Sequence, residues 1–427
     1  MAGRNSANKQ SRNGTARRCG VVMGGAVGAF VAAAAMATGS AAPAKADFEE
    51  LLDPIIQPLL MSVTDSLAGF DPAAATDITS WTDSLLSSLN SIDLAVPSAV
   101  EPATASAAVA SPASNPITEI PGDAYIPITM QETTEPTVNA SIDGSTDQLL
   151  LVDTGSSGLV IPISDLDSGS NEFAELLSLG LPSSFGESGY SGGVDYIYLT
   201  YNALPVDYDL GGVSTLDTTA PVEVEVYSWD PSDPTSFFTN DAFQTFLTGN
   251  DSPGGILGIG DNVSGGAGES PIEAAGYNGV TVDEPDGYLI ASDSNPGTAL
   301  PNTEPLTSTG STVSGLTETV TDPSTSTVVG TGTVSDDIDS GGVYGTIPSS
   351  IANNSDGLPN GDVVTVSDNG TQLYQYTVAN DGDIQQPNET PVVVSGSSID
   401  SGYQAFEYNP VYIDYSNDTL TYDDTLS

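Results

Sequence analysis

Leu149-Leu150-Leu151-Val152-Asp153-Thr154-Gly155-Ser156-Ser157-Gly158-Leu159-Val160-Ile161-Pro162 is the stretch from which the rest of the chain can be read. Its four leading apolar residues predict a buried strand that ends on an aspartate. The small polar residues that follow predict a tight loop, and a second apolar run leads away from it. Asp339-Ser340-Gly341-Gly342-Val343-Tyr344-Gly345-Thr346-Ile347-Pro348 repeats the plan 186 residues later, again with Ile-Pro eight and nine positions after the aspartate. The tripeptide Asp-Ser/Thr-Gly also occurs at Asp167 and Asp400. About one chance match is expected in so Ser-, Thr-, Gly- and Asp-rich a chain, so context must decide. Asp167 is followed at the same offsets by Glu175-Leu176 and Asp400 by Tyr408-Asn409, so these two read as Asx-type turns. Asp153 and Asp339 are the matched pair.

Composition narrows the chemistry such a pair could do. All six Lys and Arg residues lie within the first 45 positions, where no Asp or Glu occurs, and all 57 acidic residues follow. The chain has no His, and its single cysteine is Cys19. The stretch up to Arg18, the apolar run Gly20 to Ala37 and the small-residue site Ala44-Lys45-Ala46 read as a secretion signal, residues 1–46, in preference to an uncleaved anchor. After cleavage there the mature chain would hold no Lys, Arg, His or Cys and a formal charge of −57. A Ser-His-Asp triad, a Cys-His pair, a His-ligated zinc, a P-loop lysine and a Schiff base are all excluded. Nucleic acid is no partner for a chain without cations. Carboxylates remain for acid–base work, with Tyr, Ser and Thr hydroxyls in support. No cofactor is called for.

Residues 47–116 read as a helical segment followed by a linker. Asp53 can cap a helix with Pro54 at its first position, and Leu51, Leu52, Ile55, Ile56, Leu59, Leu60, Val63 and Leu67 recur at helical spacing. Residues 101–116 are rich in Ala, Ser and Pro. From Ile117 the texture is all-β: short Val, Ile, Tyr and Thr runs broken by Gly, Asn, Asp and Pro. About 310 residues suit two β lobes better than one sandwich, and the expected division is 117–285 and 286–427. Trp81 and Trp229 read as packing residues.

These motifs resemble those of the pepsin-like aspartic proteases, and in particular the protease domain of the mycobacterial PE-family proteases. The resemblance rests on Asp153-Thr154-Gly155-Ser156-Ser157 with Leu159, Val160 and Pro162, on the Asp339 repeat, and on Gly254-Gly255-Ile256-Leu257-Gly258-Ile259-Gly260. It covers roughly residues 120–427. It implies a bilobal, all-β, pepsin-like double barrel whose lobes each lend one loop to a shared cleft, with Asp153 and Asp339 as the catalytic dyad of an endopeptidase. It also implies that the Thr154 and Ser340 hydroxyls bond across the lobes and that Ser156 orients the Asp153 carboxylate. Gly155 and Gly341, besides lining the substrate site, would permit the tight loops. Gly189-Tyr190-Ser191-Gly192-Gly193 resembles a flap hairpin with Tyr190 over substrate; a plain hairpin turn, or Tyr196 or Tyr198 in that role, are the rivals.

Three departures stand out. Val160 replaces the Trp usual in pepsin relatives, so the flap must be supported differently. Gly342 stands where many relatives have Ser or Thr. Residues 47–116 carry no basic propeptide. The expected partner is a polypeptide substrate, the expected location secreted or cell-surface with envelope association through residues 47–116, and the expected state a monomer. A catalytically inactive pepsin-fold binding protein, a glycosidase using two carboxylates, and an acidic calcium-binding surface protein are the competing readings.

Overall fold

The computed structural model describes residues 120–424, apart from 132–133, 167–175, 177, 191–192, 211–214, 234–235, 237–239, 250–253, 262–267, 343, 354–356 and 380–390. The signal, helical and linker readings on residues 1–116, with Trp81, and the turn at Asp167 lie outside the described residues.

The fold is all-β and two-lobed. In the first lobe, Glu135–Ile142, Gln148–Asp153, Gly255–Ile259, Ser157–Pro162, Thr215–Trp229 and Val194–Asp209 are neighbours in that order. The last then pairs back onto the first at Ala140↔Tyr208, Ser141↔Asp207 and Ile142↔Val206, which closes the ring. The apolar run quoted above lies inside it. Leu150, Val152, Leu159 and Ile161 are buried with Val138, Ala140, Ile142, Val222, Val224, Leu257 and Ile259. Ser184–Tyr190 extends the sheet outward as a hairpin with Val194–Asp209. Two pairings of the ring are parallel: Gln148–Asp153 with Gly255–Ile259, and Ser157–Pro162 with Thr215–Trp229.

A second sheet joins the lobes. Its order begins Ala124–Pro127, Tyr288–Ser292, Gly279–Asp283, Val411–Asp414, Thr419–Asp424, Leu306–Thr309. It then runs through Thr312–Asp322 and Thr327–Asp337 to Ser398–Asp400, with Val363–Asp368 and Thr371–Thr377 branching from Thr312–Asp322. The strands nearest the two ends of the described chain therefore share a sheet with its middle. The division expected at 285/286 falls in the turn between Gly279–Asp283 and Tyr288–Ser292, two hairpin partners within this shared sheet.

Candidate active site

Asp153 ends its strand beneath Leu150 and Val152, and the chain turns at once because Asp153 captures the loop: Oδ1 accepts the Gly155 N–H at 2.8 Å. Asp339 does the same, accepting the Gly341 N–H at 2.9 Å. The two loops then lock together. The Thr154 N–H donates to Ser340 Oγ at 3.1 Å and the Ser340 N–H to Thr154 Oγ1 at 2.9 Å. The Thr154 hydroxyl donates to the Ile338 carbonyl at 2.5 Å, and the Ser340 hydroxyl to the Val152 carbonyl at 2.7 Å. Thr154 and Ser340 are buried. Each loop thus satisfies the other's buried backbone, an arrangement that costs a few kcal/mol to leave incomplete.

That lock brings the carboxyls face to face across the glycines. A Cβ at Gly155 would lie 2.6 Å from Asp339 Cγ, and one at Gly341 would lie 2.8 Å from Asp153 Oδ1. Neither glycine has a positive φ. What the site requires of them is the missing side chain, which lets the two loops come together, and not a left-handed backbone. The Ser156 hydroxyl donates to Asp153 Oδ2 at 2.5 Å, so both oxygens of Asp153 hold partners. Burial first, then the adjacent Asp153 and Asp400, push the Asp339 carboxyl well above the usual carboxylate range. A negative charge on Asp153 so close by opposes ionisation of Asp339.

Tyr190 ends the outer strand of the hairpin, and the Gly193 N–H closes the turn on its carbonyl at 3.1 Å. Its ring stacks between Tyr196 (centroids 5.8 Å) and Phe246 (5.7 Å). Burial pushes its phenol well up, with Tyr196 and then Asp153 adding to the shift, which places Tyr190 within electrostatic reach of the dyad. Tyr196 is fully buried and its hydroxyl donates to Glu223 Oε2 at 3.4 Å, the position of a support. Tyr198 packs beside Tyr196, 5.9 Å between centroids. Where Val160 replaces a tryptophan, Val160, Val194, Tyr196, Phe243, Leu247 and Ile256 form a small separate core against which Tyr190 and Phe246 pack. Helix Ala242–Gly249 supplies Phe243 and Phe246.

Sequence reasoning passed over several residues here. Phe243 and Phe246 carried a usable signal, an aromatic pair at i, i+3. Glu223 is buried and its carboxyl is raised to about 7 by burial, against the lowering effect of the Tyr196 and Tyr198 hydroxyls. Asp400, read from the sequence only as an Asx-type turn, stands nearer the site than that reading implied. Its loop does form the expected Asx-type turn, with the Gly402 N–H on Oδ1 at 2.8 Å, but that turn stands beside the dyad: the Asp339 N–H donates to Ser401 Oγ at 3.0 Å. Trp229, as expected, packs, 6.1 Å from Tyr227. Among the described residues no three acidic or thiol groups are gathered as a metal ligand set.

Comparison with known proteins gives the following. The family described as the PE-PGRS C-terminal aspartyl peptidase-like domain matches residues 124–422. PE cleavage protein A of Mycobacterium tuberculosis is 33% identical over 306 residues, 68% of this chain and 50% of that protein. PE cleavage protein A of Mycobacterium marinum is 32% identical over 177 residues, 39% of this chain and 30% of that protein. The chain spans at most about half the length of these relatives. The aspartic proteinase of Irpex lacteus aligns in three dimensions with a TM-score of 0.48 and 16% identity, covering 71% of this chain and 98% of that one.

Proposed function

The chain belongs to the PE-PGRS C-terminal aspartyl peptidase-like family, and from that premise we propose that it is an aspartic endopeptidase whose dyad is Asp153 and Asp339. The observation that carries this reading is the reciprocal bonding of Thr154 and Ser340, which sets two carboxyls against each other with no side chain between them. In the monoprotonated pair, the ionised carboxyl takes a proton from a water held between them. The water oxygen attacks the scissile carbonyl carbon, and the protonated carboxyl donates to the carbonyl oxygen. Collapse of the resulting diol breaks the C–N bond as a proton passes to the departing amine. Ser156 holds Asp153 in orientation, and Tyr190 closes over the bound chain and excludes water.

The N-terminal basic and apolar segment supports secretion or a cell-surface location with residues 1–46 removed. Residues 47–116 would provide any attachment to the envelope, and the enzyme would act as a monomer. The relatives' name, which describes cleavage of PE proteins, makes a PE-type polypeptide the first substrate to try.

The test uses purified protein, a peptide library read by mass spectrometry, and a statine-type transition-state inhibitor. Asp153→Asn and Asp339→Asn should each lower cleavage by about 10²–10⁴-fold, the range general acid–base groups contribute, with the melting temperature retained. Cleavage that survives either substitution, or that ignores the inhibitor, would mean a different active site, and a wild type that cleaves nothing would mean a binding protein.

A further inference from the structure

We propose that Asp400 is a positioning residue of this active site, acting through Asp339 to hold the proton that the two facing carboxyls share. The proposal rests on the peptidase reading and extends it to a third carboxyl. Strand Ser398–Asp400 runs parallel to Thr327–Asp337 with Asp400 opposite Asp337, two residues before Asp339. The Ser401 N–H donates to the Asp337 carbonyl at 2.8 Å, and Ser401 Oγ receives the Asp339 N–H. The third Asp-Ser-Gly loop therefore follows the base of the second.

The two catalytic loops differ at one position, and Asp400 stands at that difference. Three residues after Asp153, Ser156 gives its hydroxyl to the Asp153 carboxylate. Three residues after Asp339 stands Gly342, with no side chain to give. A Cβ there would lie 2.9 Å from Asp400 Oδ1 and 3.2 Å from Gly402 Cα, so the Asp400 carboxyl occupies the room that a serine would need. It is held there from two sides: Oδ1 accepts the Gly402 N–H, and the Asp400 N–H donates to Thr346 Oγ1 at 2.8 Å. Where one lobe steadies its aspartate with a hydroxyl, the other sets a second acid beside it.

A carboxyl in that place changes what its neighbour does with protons. The titratable groups around Asp400 are Asp337 across the strand pair, Asp339 and Asp153 at the cleft, and Asp336 behind. No Lys, Arg or His occurs after Lys45 to offset them. Burial raises Asp400 to about 6, against the Gly402 N–H, with Asp337 and Asp153 adding to the rise. Below that pH Asp400 is neutral and exerts little force. Above it, an anion beside Asp339 opposes a second ionisation, so the monoprotonated pair persists to higher pH. The effect belongs to the alkaline limb of the activity profile and not to the acid limb.

Asp400→Asn keeps the shape and the acceptor for the Gly402 N–H while removing the charge. The experiment records kcat/KM against pH for wild type and Asp400→Asn, and in parallel follows the Asp339 carboxyl by 13C NMR titration. The alkaline limb and the upper Asp339 midpoint should both move down by about half to one pH unit, with the acid limb in place. Asp400→Glu should return the limb toward wild type. A uniform fall in kcat/KM with both limbs unmoved would show a merely structural role, and no change in either reading would also overturn the proposal. If Asp400→Asn does not fold, Asp400→Ser is read the same way. If the wild type cleaves nothing, the peptidase reading fails, yet the NMR titration still decides whether Asp400 governs Asp339.

Discussion

Gly155, Gly341 and Gly402 each donate their N–H to the carboxyl of the aspartate two residues before them, so three loops share one hydrogen bond, although only Gly402 has a positive φ. What also separates them is who stands opposite. Gly155 and Gly341 face a carboxyl of the other lobe, whereas Gly402 backs onto the Gly345 N–H. This is why Asp153 and Asp339 were legible as a pair and Asp400 was not. Strand context and the Ile-Pro repeat mark the pair, but only the fold reveals that Asp400 fills the space left by Gly342. Gly155→Ala tests the close approach directly, since its Cβ would meet Asp339 Cγ at 2.6 Å and the carboxyl must move. A misplacement of that order costs about 10²-fold in rate. We expect kcat to fall that far while the melting temperature changes little; full activity in this variant would contradict the facing geometry.

Among the elements, helix Ala242–Gly249 and the hairpin Ser184–Tyr190/Val194–Asp209 form one unit, because Phe243 and Phe246 lie under Tyr190 and Tyr196. The hairpin could be read from its Gly-flanked tyrosine. Its support could not, for a physical reason visible in Val222-Glu223-Val224-Glu225. That alternation reads as one buried and one solvated face, but all four residues are buried, since the aromatic unit covers the outer face that Glu223 shares. Two substitutions separate packing from gating. Phe243→Ala removes a fully buried ring and should cost about 3–5 kcal/mol of stability, read by denaturant melts. If Tyr190 closes over the bound chain as proposed, Tyr190→Ala should lower kcat with the fold retained. An unchanged kcat in Tyr190→Ala, or a loss seen only in Tyr196 or Tyr198 variants, would move the gate elsewhere on the hairpin.

For the whole molecule, the chain's acidity has an interior as well as a surface. Composition alone implies that like charges repel as pH rises; it cannot show that carboxyls are also buried. Glu318 is raised to about 8 by burial, Asp283 to about 7 and Asp423 to about 6, and Asp336 lies well above the usual range with its Oδ2 receiving the Tyr374 hydroxyl at 2.6 Å. A carboxyl whose folded pKa is raised contributes its stability fully below the unfolded value near 4, and that stability is lost as pH climbs through the folded value. The melting temperature should therefore be highest in acid and fall between about pH 4 and 8. A low-salt series across that range checks it, and a melting temperature that climbs steadily with pH would refute it. Glu318→Gln should flatten the upper part of the decline. The joining sheet has a consequence of a different kind, one of timing during synthesis. Val411–Asp414 and Thr419–Asp424 follow every other described strand in the chain, yet they lie between Gly279–Asp283 and Leu306–Thr309. The first-lobe ring, complete by Ile259, can close around Asp153 while the ribosome is still working, but the sheet that seats one lobe on the other must wait for residues 411–424. Assembled in that order, the cleft gains its second carboxyl last, once residues 411–424 have emerged.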